Sequence, residues 1–306
     1  DDVGFFMHQE KSFSQSDFFC IINLQEARDS MKRWIVCDLD GSLMPPSDGL
    51  YVSKAVQEKL IALQEKGNTV ILNSARVFQG VYPLALQIGM DTFGGYLISS
   101  NGSHVYDMRT KQVIDCTKMD SDQVLWLWQL MEKHNIGIGF TQPEAVICSQ
   151  MRLGFELDQK NCDIDYITTM HPTRYLKAEV VKCSVAAKPE ELETVMDALE
   201  PEIGQHTDFQ VIRSTPTLYD VLHKEVSKQG ALEKLLKSLH AGWDQVTVIG
   251  DGYSDVESIR LAALGCTLEN AKEECKEVAD MIVPSCYEDG CLIWLDRLLE
   301  ETYESH

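Results

Sequence analysis

An apolar run that stops on carboxylates occurs twice in this chain. Arg33–Asp38 is mostly apolar and leads into Asp38-Leu39-Asp40-Gly41-Ser42, and Val246–Gly250 leads into Asp251-Gly252-Tyr253-Ser254-Asp255. A strand that is apolar on both faces has to be covered on both, as in a parallel sheet clad with helices. The intervening segments agree. Ser53 is placed to cap a helix with Val56, Leu60 and Leu63 on one face and Gly67 at its stop. Thr69–Asn73 is a second apolar strand, Gln79–Ile88 a helix despite Pro83, and Tyr96–Ser99 a third strand before the turn-like Asn101-Gly102. Beyond residue 215 the alternation returns, with helices predicted at Ser227–Leu239, Ser254–Leu264 and Cys291–Glu301 and short strands at Cys266–Leu268 and Met281–Val283. Such alternation predicts an open parallel α/β sheet with helices on both faces.

The middle of the chain keeps another rhythm. A helix at Ser121–His134 precedes strand-like runs at Ile136–Phe140, Ala145–Ser149 and Val181–Ala186. An acidic helix opening at Pro189 and a strand at Phe209–Ile212 follow. This predicts a second α/β unit over 113–215, inserted into a first unit made of 31–112 and 216–306. Residues 1–30 have no clear period and are expected to form an extension outside the fold, with Met31 as a natural start.

Composition limits what such a chain binds. Its 306 residues are 44% hydrophobic and 25% charged, enough for two cores and without a disorder signature. With 27 Lys+Arg against 48 Asp+Glu, the net charge of -21 disfavours nucleic-acid duplexes and anionic membrane surfaces. No apolar run approaches the ~20 residues of a membrane span, and no basic leader is present, so a cytoplasmic protein is expected. The ten cysteines are scattered without a C-x-x-C pair, which reads as free, mostly buried thiols. Cys37, beside the first carboxylate, is expected to turn away into the core. Trp126 and Trp128 cannot share a helix face, so one belongs to the core and the other to a surface or a substrate. The histidines show no zinc-ligand spacing, and no G-x-S-x-G context is present.

The chemistry therefore rests on the acidic clusters. Ligands bind where the carboxyl ends of parallel strands open, and both clusters end strands of one sheet. Asp38 and Asp40, or Asp251 and Asp255, are each also readable as ordinary acidic turns or helix caps. Convergence favours function: close carboxylates that stay ionised need a counter-charge, and Mg²⁺ is the simplest. Two further segments offer what a phosphate needs. Leu72-Asn73-Ser74-Ala75-Arg76 ends a strand with a hydroxyl and loop N–H groups, and Lys228 stands at a helix start.

In type and order these four elements resemble the haloacid dehalogenase-like phosphatases, closest to their Cof-type branch, over nearly all of Met31 to Leu295. Ile98-Ser99-Ser100-Asn101-Gly102, Asn270-Ala271 and Glu288-Asp289-Gly290 belong to the same pattern. The resemblance implies a Rossmann-like parallel-sheet core with an inserted α/β cap that sets specificity. It implies Asp38 as the nucleophile that takes the phosphoryl group, and Asp40 as the acid for the leaving oxygen and then the base for water. Mg²⁺ would be held by Asp38, Asp251 and the Asp40 carbonyl, with Asp255 in support. Ser74 and Lys228, with the N–H groups of Leu39 and Ala75, would bind the phosphoryl oxygens. Arg76 is expected either to approach the substrate or to form a surface ion pair.

The sequence departs from the branch at Ser42, at Ala75, where Gly is usual, and at Ser254, where Asn commonly touches the phosphate. The expected partner is a small phosphorylated metabolite such as a sugar phosphate, acted on by a monomer or weak homo-oligomer. A phosphotransferase or mutase on the same site, and a non-catalytic regulatory binder, remain as alternatives.

Overall fold

The structure, a computed structural model, describes residues 33–304, so the expected extension at 1–30 lies outside the described residues. The chain forms β1 (Trp34–Cys37), α1 (Lys54–Glu65), β2 (Thr69–Asn73), α2 (Phe78–Gln87), α3 (Met90–Phe93) and β3 (Tyr96–Ser99). A hairpin of β4 (His104–Asp107) and β5 (Gln112–Cys116) follows. Next come α4 (Ser121–Lys133), β6 (Gly137–Thr141), β7 (Val146–Cys148), α5 (Leu153–Cys162), β8 (Tyr166–Thr168), β9 (Cys183–Ala186), α6 (Pro189–His206), β10 (Phe209–Thr215) and β11 (Leu218–His223). The chain then returns through α7 (Lys228–Ser238), β12 (Val246–Ile249), α8 (Val256–Leu261), β13 (Leu264–Leu268), α9 (Glu273–Val278), β14 (Met281–Val283) and α10 (Cys291–Glu304).

The first sheet has the order β14-β13-β12-β1-β2-β3-β4-β5 and is parallel from β14 to β3, with the β4–β5 hairpin added antiparallel at one edge. Its central strand explains the uninterrupted apolar run. Ile35 and Cys37 pack with Val56, Leu60 and Leu63 of α1 and Trp294 and Leu298 of α10. Trp34 and Val36 point the other way, onto Leu232, Leu235 and Leu236 of α7 and Ile259 of α8. Cys37 is thus a core thiol, held protonated by burial above all, with Cys291 and Asp38 adding to the effect. Ser53 caps α1 as its position suggests, its hydroxyl accepting from the Val56 N–H.

The second sheet runs β10-β11-β9-β6-β7-β8 and is mostly antiparallel, with β7 and β8 parallel. Ile138, Phe140, Cys183, Val185 and Val221 bury one face under α4 and α6. Alternation then turns Ser184 and Asp220, which are direct partners across β9 and β11, to the opposite face. Trp128 lies in this core, while Trp126 stacks on His206 with ring centroids 5.3 Å apart.

Three sequence expectations shift. β5 extends the first sheet to Cys116 and β11 belongs to the second, so we place the crossings after Cys116 and after His223 rather than at 113 and 215. The helix expected at Ser254–Leu264 stops at Leu261, because Leu264 and Gly265 pair with Thr247 and Val248 of β12. Helix α5 and strand β8 were not anticipated. Among the described residues no helix is long and apolar enough to cross a membrane.

Candidate active site

After β1 the chain adds β2 and β3 on one side, then returns to place β12 on the other. The carboxyl ends of β1 and β12 therefore flank the point where the strand order reverses and the loops part. Asp38 is still in register there, its N–H donating to the Ile249 carbonyl at 3.0 Å. The backbone then reverses at Gly41, whose φ is +86°. A Cβ at this position would lie 2.4 Å from Asp251 Oδ2, so glycine is required by conformation and by space. Gly250 has the same tight fit on the other strand, where a Cβ would meet the Asp255 Cβ at 2.5 Å. Gly41→Ala is expected to destabilise the protein by about 1–3 kcal/mol and to push Asp251 out of place. Urea titration, with Mg²⁺ affinity measured on the folded fraction, checks this.

The turn brings the carboxylates together. One oxygen from each of Asp38, Asp251 and Asp255 lies within 4.8 Å of the others. Lys228 opens α7 behind its N-cap Ser227, and its Nζ reaches Asp38 Oδ1 at 2.6 Å and Asp255 Oδ1 at 3.1 Å. Ser42 Oγ stands 2.9 Å from Asp251 Oδ1 and 3.3 Å from Asp38 Oδ2, so its single proton serves one or the other. Burial alone would lower the Lys228 ammonium, but Asp255 and Asp38 outweigh it and hold its pKa above the usual range.

One ammonium does not balance three carboxylates. Burial, then the charges of Asp38 and Asp255, push Asp251 up to about 8. Burial likewise raises Asp38, with Lys228 pulling against it and Asp255 adding to it. Packed, oxygen-only donors with unbalanced negative charge fit a small hard divalent cation, and Mg²⁺ suits them.

Asp40 stands apart from this cluster. Arg76 holds it through both oxygens, Nε to Oδ2 at 2.6 Å and Nη2 to Oδ1 at 2.5 Å. Arg76 is buried, and its Nη1 also donates to the carbonyls of Gly49, at 2.5 Å, and Asn161, at 3.3 Å. It is therefore neither a surface ion pair nor a free substrate contact: it fixes Asp40 and bridges to α5 of the inserted unit. Ser74 is buried at the end of β2, and its Oγ accepts the Arg76 N–H at 3.2 Å, which leaves the hydroxyl proton for another acceptor. The Leu39 N–H faces the Asp38 carboxylate and favours its charged form.

The structure thus gathers Asp38, Asp251, Asp255 and Lys228, with Asp40 and Ser74 joined through Arg76. It leaves Ser254 exposed on the surface, outside this group. Two supports were not legible as such. Ser42 bridges the acidic strands, and Asn270 donates to the Gly41 carbonyl at 2.8 Å while accepting from the Cys286 N–H at 2.9 Å.

The pattern that defines the haloacid dehalogenase-like hydrolases matches residues 35–295. The chain belongs to that family. Among curated relatives, the 5-amino-6-(5-phospho-D-ribitylamino)uracil phosphatase YcsE of Bacillus subtilis (strain 168) is 23% identical over 256 residues, which cover 84% of this chain and 91% of that one. A haloacid dehalogenase-like hydrolase from Bacteroides thetaiotaomicron has a solved structure that superposes with a TM-score of 0.81 at 26% identity, covering 87% of this chain and 99% of its own. The fold is also that of the subclass IIB sugar phosphatase BT4131, with a TM-score of 0.70, 20% identity, and coverage of 87% and 98%. Within this Cof-type fold the inserted unit is the cap and the parallel sheet the core.

Proposed function

We propose that this haloacid dehalogenase-like hydrolase is a Mg²⁺-dependent phosphatase of a small phosphorylated metabolite, working through an aspartyl-phosphate on Asp38. The observation that carries the reading is the division of labour among the carboxylates. Asp38 shares one buried cluster with Asp251, Asp255 and Lys228, while Asp40 is held outside it by Arg76.

A nucleophile-and-acid pair needs this separation. An Asp38 oxygen attacks phosphorus and the ester P–O bond breaks, with Asp40 giving its proton to the leaving oxygen. Asp40 then takes a proton from water as that water attacks the aspartyl-phosphate. Inorganic phosphate leaves, and Asp38 is restored. Lys228, the Ser74 hydroxyl and loop N–H groups stabilise the transferring oxygens. Asp38 and Asp251, with Asp255 in support, would hold Mg²⁺, which would supply the positive charge that lets a carboxylate approach an anionic phosphoryl group.

On the far side of Arg76 from Asp40 the chain leaves open space that neither Asp38 nor Asp40 lines. A cavity of about 850 Å³ is bordered by Gly49, Tyr51, Lys160, Asn161 and Tyr287. Gly49 and Asn161 are also the residues whose carbonyls Arg76 reaches.

A panel of phosphomonoesters with Mg²⁺ tests the reading. Phosphate release from at least one metabolite is expected, abolished by a chelator and restored by excess Mg²⁺. A chain that hydrolyses none of them contradicts it, and transfer to a sugar hydroxyl in preference to water would make it a phosphotransferase.

A further inference from the structure

The cap face that looks toward the core carries a buried ion pair that the chemistry above does not use. Lys182 Nζ lies 2.8 Å from Asp220 Oδ1, and the two side chains are 8% and 1% exposed. Asp220 is saturated as an acceptor. Its Oδ1 also takes the Ser184 hydroxyl at 3.1 Å, and its Oδ2 takes the Ser214 hydroxyl at 2.7 Å and Asn101 Nδ2 of the core at 3.2 Å. With its counter-ion fixed in this way, Lys182 reaches across to the core and donates to the Ala75 carbonyl at 3.0 Å.

That carbonyl belongs to the peptide whose N–H, on Arg76, donates to Ser74 Oγ. A trans peptide directs its C=O and N–H to opposite sides, so holding one end aims the other. The same segment is gripped a second time from the cap, through Arg76 and the Asn161 carbonyl. A buried ion pair is poor at stabilising a fold by itself, since apolar residues of like volume do as well or better. Its use here is geometric: the charge is delivered to one peptide of the phosphate-binding loop.

We propose that Lys182, neutralised by Asp220, is a positioning residue contributed by the cap, which sets the Ser74-Ala75-Arg76 loop for the phosphoryl group when the cap is closed. This rests on the phosphatase reading for its kinetic consequence, but not for its structural one. Misplacing such a loop by about 1 Å costs on the order of 10²-fold in rate. Lys182→Met is expected to lower kcat by about that factor while KM moves little, because the reacting geometry is lost rather than a leaving-group contact. The loss should be similar for p-nitrophenyl phosphate and for a bulkier metabolite ester, and Lys182→Arg should recover most of it.

The second measurement needs no turnover. In the wild-type chain with Mg²⁺, inorganic phosphate is expected to slow hydrogen exchange at the Arg76 N–H, and Lys182→Met, checked to be folded by thermal melting, should lose that protection. A folded Lys182→Met protein with unchanged kcat and retained protection overturns the proposal, as does a defect confined to KM for the bulkier ester. If the wild type hydrolyses nothing, the phosphatase reading fails alone. The exchange experiment still decides Lys182, lost protection supporting it and retained protection overturning it. Should Lys182→Met not fold, Asp220→Asn decides by the same two readouts.

Discussion

Replacing Asp38 by Asn is expected to remove phosphatase activity by on the order of 10⁴-fold or more, without unfolding the protein. The amide keeps the shape of the side chain at the end of β1, and the Asp38 N–H bond to Ile249 is untouched. What disappears is the nucleophilic oxygen and one of the carboxylates gathered with Asp251 and Asp255. Lys228 also loses the charged partner that stood 2.6 Å from it, though Asp255 still neutralises it. The variant should therefore melt like the wild type while releasing no phosphate under saturating substrate and Mg²⁺. Full activity in Asp38→Asn would remove Asp38 from the reaction.

Asp40→Asn is expected to be nearly as damaging, by roughly 10²–10⁴-fold, but in a way that depends on the ester. In the proposed mechanism Asp40 has two duties, protonating the leaving oxygen and then deprotonating water. With p-nitrophenyl phosphate, whose leaving group departs without a proton, the first duty is dispensable and only the second is lost. Enzyme phosphorylation should then outrun hydrolysis, and a burst of nitrophenolate should precede a slow steady state. With an alkyl ester both steps are slowed and no burst is expected. Arg76 adds a structural requirement. Both oxygens of Asp40 accept from its guanidinium in this structure, so Asp40 has to change partner before it can donate. An equal loss for both esters, without a burst, would mean that Asp40 does not act on the leaving group.

The core and the candidate residues could be read from the chain for a physical reason. Trp34-Ile35-Val36-Cys37 is apolar throughout because its alternate residues face two different helix layers, and the run ends where the sheet ends. Strands of that kind announce both themselves and the carboxylates at their tips. The β4–β5 hairpin was not legible because it lies at a sheet edge, where Val113 and Ile114 remain exposed and the other positions alternate weakly. Strand β11 (Leu218–His223) lies within the 216–306 stretch expected to belong to the core. Only its antiparallel pairing with β9 and β10 shows that Asp220 serves the cap face.

The same limit applies within the site. Arg76 and Asp40 are far apart in sequence, and their pairing follows from the adjacency of β1 and β2. Lys182 touches the Ala75 carbonyl because of how the cap closes, which no spacing along the chain encodes. Ser254, whose place in the motif suggests a phosphate contact, lies exposed on the surface beside the buried Asp255. The charge of -21 also acquires a local meaning, because part of the acidic excess is concentrated where a cation would bind.

If Asp38 carries the phosphoryl group in transit, trapping catches it there. Asp40→Asn protein is mixed with Mg²⁺ and p-nitrophenyl phosphate, quenched in acid and digested, and its peptides are weighed. One added phosphoryl group is expected on the peptide containing Asp38, placed on that residue by fragmentation and absent from the Asp38→Asn, Asp40→Asn double variant. A phosphoryl group on a serine, histidine or cysteine, or a burst of nitrophenolate with no adduct at Asp38, would contradict it.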